Sequence, residues 1–262
     1  GSTGEAAQLA DAQRQIVLQT ALDATAGRVP VLAGIIENST ARMIEQGLRA
    51  REAGAQAVVA TAPSYYTHNQ AEIIVHFRAL SREIGLPIIA YNIPSMVKVD
   101  LITQTVVTLA QEGTIIALKD TSPDLSATRA TIIACREIKN FRIFTGLEWV
   151  TDLALEVGAH GAVPGLANVA PAEYVAIYNA IQSGDQETAR WHQERMITLF
   201  NICYQGSPEA SFSARAFSGF KAALVCLGIL DYASVAEPMT QIDTDGYMGV
   251  RDVLDRLGFA IV

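Results

Sequence analysis

Short apolar runs recur along this chain at a spacing that leaves few folds open. VPVLAGI, AVVATAP, PIIAYN, IIALKD, FRIFTG and GAVPG begin at about residues 29, 57, 87, 115, 141 and 161, one every 20 to 30 residues. Helix-length segments fill the gaps. One is expected at 41–53 behind the cap Asn38-Ser39-Thr40, closing at Gly54, and one at 72–84 closing at Gly85. Others are expected at 101–111, 125–138, 149–157 and 171–182, with a first helix running to about Ala26. Strand and helix in strict alternation mark consecutive βα units. The runs are apolar on both faces, as parallel strands covered by helices must be.

A doubly wound sheet and a closed (β/α)8 barrel both meet this pattern. The barrel is favoured: no G-x-G-x-x-G follows a first strand, the period is unbroken, and polar residues follow nearly every run. An eightfold barrel needs two more strands than the six visible here. GSTGE, Gly1 to Glu5, sits where a loop after a strand belongs, so the first two strands are expected to precede Gly1. Beyond Gly184 three helical segments are expected, roughly 185–204, 209–227 and 248–257. No linker separates them, which gives one domain, 1–262, made of barrel units at 1–183 and a helical extension at 184–262.

Composition narrows the function. A net charge of −8 provides no basic face for a phosphate backbone, so no nucleic-acid partner is expected. The longest apolar run, 222–230, falls well short of the roughly 20 residues of a membrane span. Cys135, Cys203 and Cys226 are odd in number and lie in apolar helical contexts, which reads as buried free thiols in a cytoplasmic protein. His68, His76, His160 and His192 form no ligand cluster, so they read as surface or helix-face residues and no metal is expected. A glycosidase would need two facing carboxylates; only Glu148 and Glu5 tempt, and neither explains the lysine below.

The chemistry concentrates at the ends of two strands. Alternate residues on a strand share a face, so Ile89 and Tyr91 point one way, and Ala117 and Lys119 point one way. The two polar residues lie 28 apart, one βα unit, which puts them on neighbouring strands. A lysine ending an apolar strand can simply extend its ammonium to water. An inward lysine above Ile115 and Ala117 is instead a desolvated amine, a candidate nucleophile, and a neutral phenol beside it can pass protons. Asp120 points away by alternation, toward a supporting or capping role. The hydroxyls and small residues of GSTGE, ahead of a helix, suit a carboxylate.

Four linked motifs carry a resemblance: GSTGE, the paired Tyr65 and Tyr66 after Pro63, YNIP, and the lysine of ALKDTSPDLS. In order and spacing the chain resembles the pyruvate-dependent class I aldolases that include dihydrodipicolinate synthase and N-acetylneuraminate lyase. The resemblance implies a barrel, no external cofactor, pyruvate or another 2-oxo acid as substrate, and a homo-oligomer, dimer or tetramer. It implies that Lys119 forms the Schiff base, that Tyr91 shuttles protons, and that Ser2 and Thr3 hold the substrate carboxylate. Ser2 would join a hydroxyl relay with Tyr91 and with Tyr65 of the neighbouring subunit. Val163 matches a backbone contact to pyruvate, and Thr121, Gly146 and Glu148 match positions facing the rest of the substrate.

Two departures bear on that substrate. Met96 stands where dihydrodipicolinate synthases carry an arginine, and an apolar side chain cannot replace a bidentate guanidinium. Glu148, Trp149 and Gly165 stand where neuraminate lyases carry two acids and a serine. The expectation is a lyase acting on a 2-keto-3-deoxy sugar acid or an aromatic aldehyde adduct. Dihydrodipicolinate synthase, N-acetylneuraminate lyase, a dehydratase on the same imine and a non-catalytic 2-oxo acid receptor stand as alternatives.

Overall fold

The computed structural model describes residues 1–262. The chain divides into two compact units, one made of Gly1–Leu147 and Val157–Val163, the other of Glu148–Glu156 and Pro164–Val262. No helix is long and apolar enough to cross a membrane.

The first unit is α/β. Its strands are β1 (Leu32–Gly34), β2 (Ala57–Ala60), β3 (Ile88–Asn92), β4 (Ala117–Asp120), β5 (Arg142–Thr145) and β6 (Gly161–Ala162). They form one sheet in sequential order, and every pair is parallel. The helices are α1 (Asp11–Thr25), α2 (Thr40–Ala53), α3 (Gln70–Ile84), α4 (Pro94–Val97), α5 (Thr103–Gln111) and α6 (Leu125–Cys135). The six strands and the helices expected within residues 1–147 are present, with shifted ends. The helix expected at 72 starts at Gln70, because Asn69 and Glu72 form a capping box, with Asn69 Oδ1 accepting from Glu72 N at 3.0 Å. The helix expected at 101 starts at Thr103, after the unforeseen turn α4, which opens on Pro94.

Alternation sorts the sheet into two faces. Val58, Ala60, Ile88, Ala90, Leu118 and Ile143 share one face and are wholly buried. On α3, Ile73, Phe77, Leu80 and Ile84 are also wholly buried, each stabilising by about 1.5–3 kcal/mol. The opposite face carries Val59, Ile89, Tyr91, Ala117, Lys119 and Phe144, aligned by the strand register.

His76, expected on the surface or on a helix face, lies on the buried face of α3 and is 4% exposed. Its Nε2 lies 3.1 Å from the Thr61 carbonyl and its Nδ1 2.8 Å from Thr40 Oγ1. A carbonyl only accepts, so Nε2 carries the proton and Nδ1 accepts from the threonine. Burial pushes the imidazole pKa from 6.5 down to about 4. Between those values the unfolded chain binds a proton that the folded chain excludes, so stability present above pH 6.5 is lost toward pH 4, by about 3 kcal/mol. Urea unfolding across that range should show this slope, and His76→Gln should flatten it.

The second unit is helical: α7 (Thr151–Glu156), α8 (Pro171–Ser183), α9 (Gln186–Leu199), α10 (Phe212–Cys226) and α11 (Thr244–Arg256). Short 3-10 turns stand at Glu148–Val150, Gly165–Asn168 and Phe200–Tyr204. The last helix begins four residues before its expected start at 248, because Asp243 accepts from Gly246 N at 2.7 Å and caps it. Met196, Leu199, Ile202, Ala222, Val250 and Leu254 are wholly buried in this unit. Over the whole chain the three cysteines are buried and free.

Candidate active site

Tyr91 and Lys119 are register partners on β3 and β4. Tyr91 is buried; Lys119 is half-buried, and its Nζ lies 4.2 Å from the centroid of the Tyr91 ring. The pair expected from alternation and spacing is therefore in contact, with the ammonium over the electron-rich ring face. The amine leans along the sheet toward β3.

Gly146 makes that placement feasible. A Cβ added there would lie 2.8 Å from Lys119 Cε, and closer still to Thr121 Oγ1. The lysine stem and the threonine hydroxyl thus crowd one point above the glycine. Thr121 Oγ1 is buried and has no hydrogen-bond partner. Its N–H donates to the Asn92 carbonyl at 2.9 Å, and Gly146 N donates to the Asp120 carbonyl at 2.7 Å, which extends the ladder past the strand ends. Gly161 on β6 serves a similar purpose, since a Cβ there would stand 3.1 Å from the ring of Phe144.

Asp120 faces away from Lys119, as alternation requires, and holds the scaffold. Its buried carboxylate accepts from Asn92 Nδ2 at 3.0 Å, from Ser122 N at 2.9 Å and from Thr128 Oγ1 at 2.7 Å. Asn92 in turn accepts from Leu101 N at 3.0 Å. One carboxylate fixes the ends of β3 and β4 and the start of α6 together, so the strand positions beside Lys119 are rigid.

At the amino end, Ser2–Gly4 forms a 3-10 turn, with Gly4 N donating to the Gly1 carbonyl at 3.1 Å. Gly1 packs on the pair: a Cβ there would lie 3.5 Å from Tyr91 Cε1 and 3.7 Å from Lys119 Nζ. Ser2 and Thr3, both half-buried, follow it directly. Val163 donates its N–H to the Thr145 carbonyl at 2.8 Å and leaves its side chain half-exposed.

Tyr65 and Tyr66 sit on the loop after β2, 68% and 71% exposed, in edge-to-face contact at 5.1 Å. Met96 on α4 is half-exposed. Glu148 belongs to the helical unit, where its Oε2 accepts from Leu166 N at 2.8 Å and its carbonyl accepts from Gln193 Nε2 at 2.7 Å. Burial raises the pKa of the Tyr174 phenol and the Cys203 thiol there, and the Glu148 charge raises both further. Phe144, level with Lys119 on β5, and Thr61, just past β2, escaped the sequence reading. Alternation carried onto every strand would have found both.

Residues 1–257 match the model of the Dihydrodipicolinate synthetase family. A 4-hydroxy-tetrahydrodipicolinate synthase of Syntrophus aciditrophicus is 33% identical over 204 residues, covering 78% of this chain and 69% of that protein. The enzyme of that name from Nitrobacter hamburgensis is 31% identical over 258 residues, covering 98% and 83%. Among solved structures, YagE, a prophage protein of the dihydrodipicolinic acid synthase family from E. coli K12 in complex with pyruvate, superposes with a TM-score of 0.90. It is 26% identical and covers 99% of this chain and 86% of its own. The dihydrodipicolinate synthase of Bacteroides thetaiotaomicron gives a TM-score of 0.91 at 29% identity, covering 98% and 85%.

Proposed function

The chain belongs to the dihydrodipicolinate synthetase family of class I, Schiff-base enzymes, and from that premise we propose that Lys119 condenses with the 2-oxo group of pyruvate or of a pyruvate-yielding 2-oxo acid. The observation that carries this reading is the Lys119 amine poised 4.2 Å over the buried Tyr91 ring. The six sequential parallel strands are read as consecutive staves of a (β/α)8 barrel, with the helices from Gln186 onward as an addition to it. The likeness to YagE, and the pyruvate bound to that protein, support both readings.

The protonated imine is an electron sink. Breaking the C3–C4 bond of the bound 2-oxo acid sends its electron pair into an enamine and releases an aldehyde; protonation at C3 and hydrolysis then release pyruvate. The reverse direction joins pyruvate to the aldehyde. Tyr91 carries the proton to and from the carbonyl oxygen, and Ser2 and Thr3 hold the carboxylate, with Val163 contacting the pyruvate moiety through its backbone. The buried, unpartnered Thr121 hydroxyl is suited to an oxygen on the rest of the substrate. Tyr65, exposed here, would complete a hydroxyl relay in a second copy, so the working form is a homo-oligomer. Buried free thiols support a cytoplasmic location.

For the acceptor, Met96 argues against a second carboxylate held by a guanidinium, and a 2-keto-3-deoxy sugar acid is the preferred substrate class. Dihydrodipicolinate synthesis is the second reading, favoured by the names of the relatives. Assays with 2-keto-3-deoxy acids, sialic acid, and pyruvate plus aspartate semialdehyde separate these. Pyruvate release from the first group is expected; condensation with the semialdehyde at a higher kcat/KM would overturn the preference.

A further inference from the structure

Thr61 is 1% exposed, and its hydroxyl finds no hydrogen-bond partner. Such a group costs about 1–3 kcal/mol unless something binds it. A valine would fill the same volume without that cost, so the hydroxyl calls for a ligand.

Its direction follows from the backbone. The carbonyl of Val59 accepts the N–H of Ile35 at 2.9 Å, as in any ladder. Two residues on, the carbonyl of Thr61 accepts instead from His76 Nε2 on α3. His76 thus replaces a ladder donor and keeps the chain extended one residue past β2. Val58, Ala60 and Ala62 take the wholly buried face, so Val59 and Thr61 take the other. Val59 pairs with Ile89 and Ala60 with Ala90, which puts Thr61 level with Tyr91. Tyr91 pairs with Lys119, whose amine leans toward this side of the sheet.

We propose that the Thr61 hydroxyl holds the water exchanged at the Lys119 imine, an inference that rests on the Schiff-base reading above. Imine formation begins with a new N–C2 bond, and the carbonyl π pair moves to oxygen, which takes up a proton. The C2–O bond of this carbinolamine then breaks as the nitrogen lone pair forms C=N, and the hydroxyl leaves with a second proton as water. Hydrolysis runs the same steps backward, the water oxygen adding to C2 and giving up a proton. A hydroxyl that can both donate and accept, fixed beside the phenol, positions that water in each direction.

Each cycle of imine formation and hydrolysis exchanges the C2 oxygen of pyruvate with solvent, so the test needs no acceptor. Incorporation of ¹⁸O from labelled water into pyruvate is followed by mass spectrometry for wild type, Thr61→Val and Thr61→Ser. The enzyme-dependent exchange rate should fall about tenfold or more in Thr61→Val and return toward wild type in Thr61→Ser. Thr61→Val should be at least as resistant to urea as wild type, since an unpaired buried hydroxyl is removed. Unchanged exchange in Thr61→Val overturns the proposal, as does a loss that serine does not restore. Borohydride with pyruvate on the wild-type chain separates the two readings. Absence of an adduct there sinks the Schiff-base reading itself, whereas an adduct with unaltered Thr61→Val exchange sinks only the role of Thr61.

Discussion

Lys119→Ala and Lys119→Arg should both lose activity by on the order of 10⁴-fold or more in kcat/KM, because neither can form an imine. The arginine variant separates nucleophilicity from charge: it keeps a cation over the Tyr91 ring, so retained turnover in Lys119→Arg would mean that the lysine acts electrostatically. Borohydride reduction with pyruvate, read by intact mass and peptide mapping, should label the wild-type peptide holding Lys119 and neither variant. Lys119 is half-buried at a strand end, and its removal leaves the core residues of the sheet untouched. Urea midpoints should therefore move little, and loss of the adduct can be read as loss of the nucleophile.

Gly146→Ala should sharply reduce activity. The added Cβ would stand 2.8 Å from Lys119 Cε and closer still to Thr121 Oγ1, both well inside contact distance. The lysine stem must shift by about an ångström, and a misplacement of that size costs about 10²-fold in rate. Overpacking should lower stability by about 1–3 kcal/mol as well. The double variant Gly146→Ala with Thr121→Ala distinguishes the two clashes. It should recover stability, since the threonine contact is relieved, while the rate stays low, since the lysine contact remains. Full recovery of rate in the double variant would show that the threonine, and not the lysine, was displaced.

The parts of this site that could be read in advance depend on local repetition. Alternation put Tyr91 and Lys119 on one face of their strands, and one βα unit between them put those strands side by side; the register confirms both. Alternation likewise turned Asp120 outward, though its three donors come from a neighbouring strand, a loop and a helix and carry no shared signal in the chain. Of the two readings open for His76, surface or helix face, the second holds, on α3; that this face is buried depends on contacts with Thr40 and Thr61, 36 and 15 residues away. The helix starts at Gln70 and Thr244 were missed although their caps are local, Asn69 with Glu72 and Asp243 with Gly246 N, because the apolar period begins only after the capped turn.

By itself the sequence determined the alternation of strands and helices, the sequential parallel order, and the shared face on which Tyr91 and Lys119 lie. Those properties follow from hydrophobic periods of two and 3.6 residues, which are written locally. Only the tertiary structure decided that the lysine amine rests on the tyrosine ring, that Gly146 must lack a side chain, and that His76 stands in for a missing strand donor to aim Thr61 inward. Each of these is a close approach between groups far apart in the chain. Such contacts are set by the packing of whole elements, which no local period encodes.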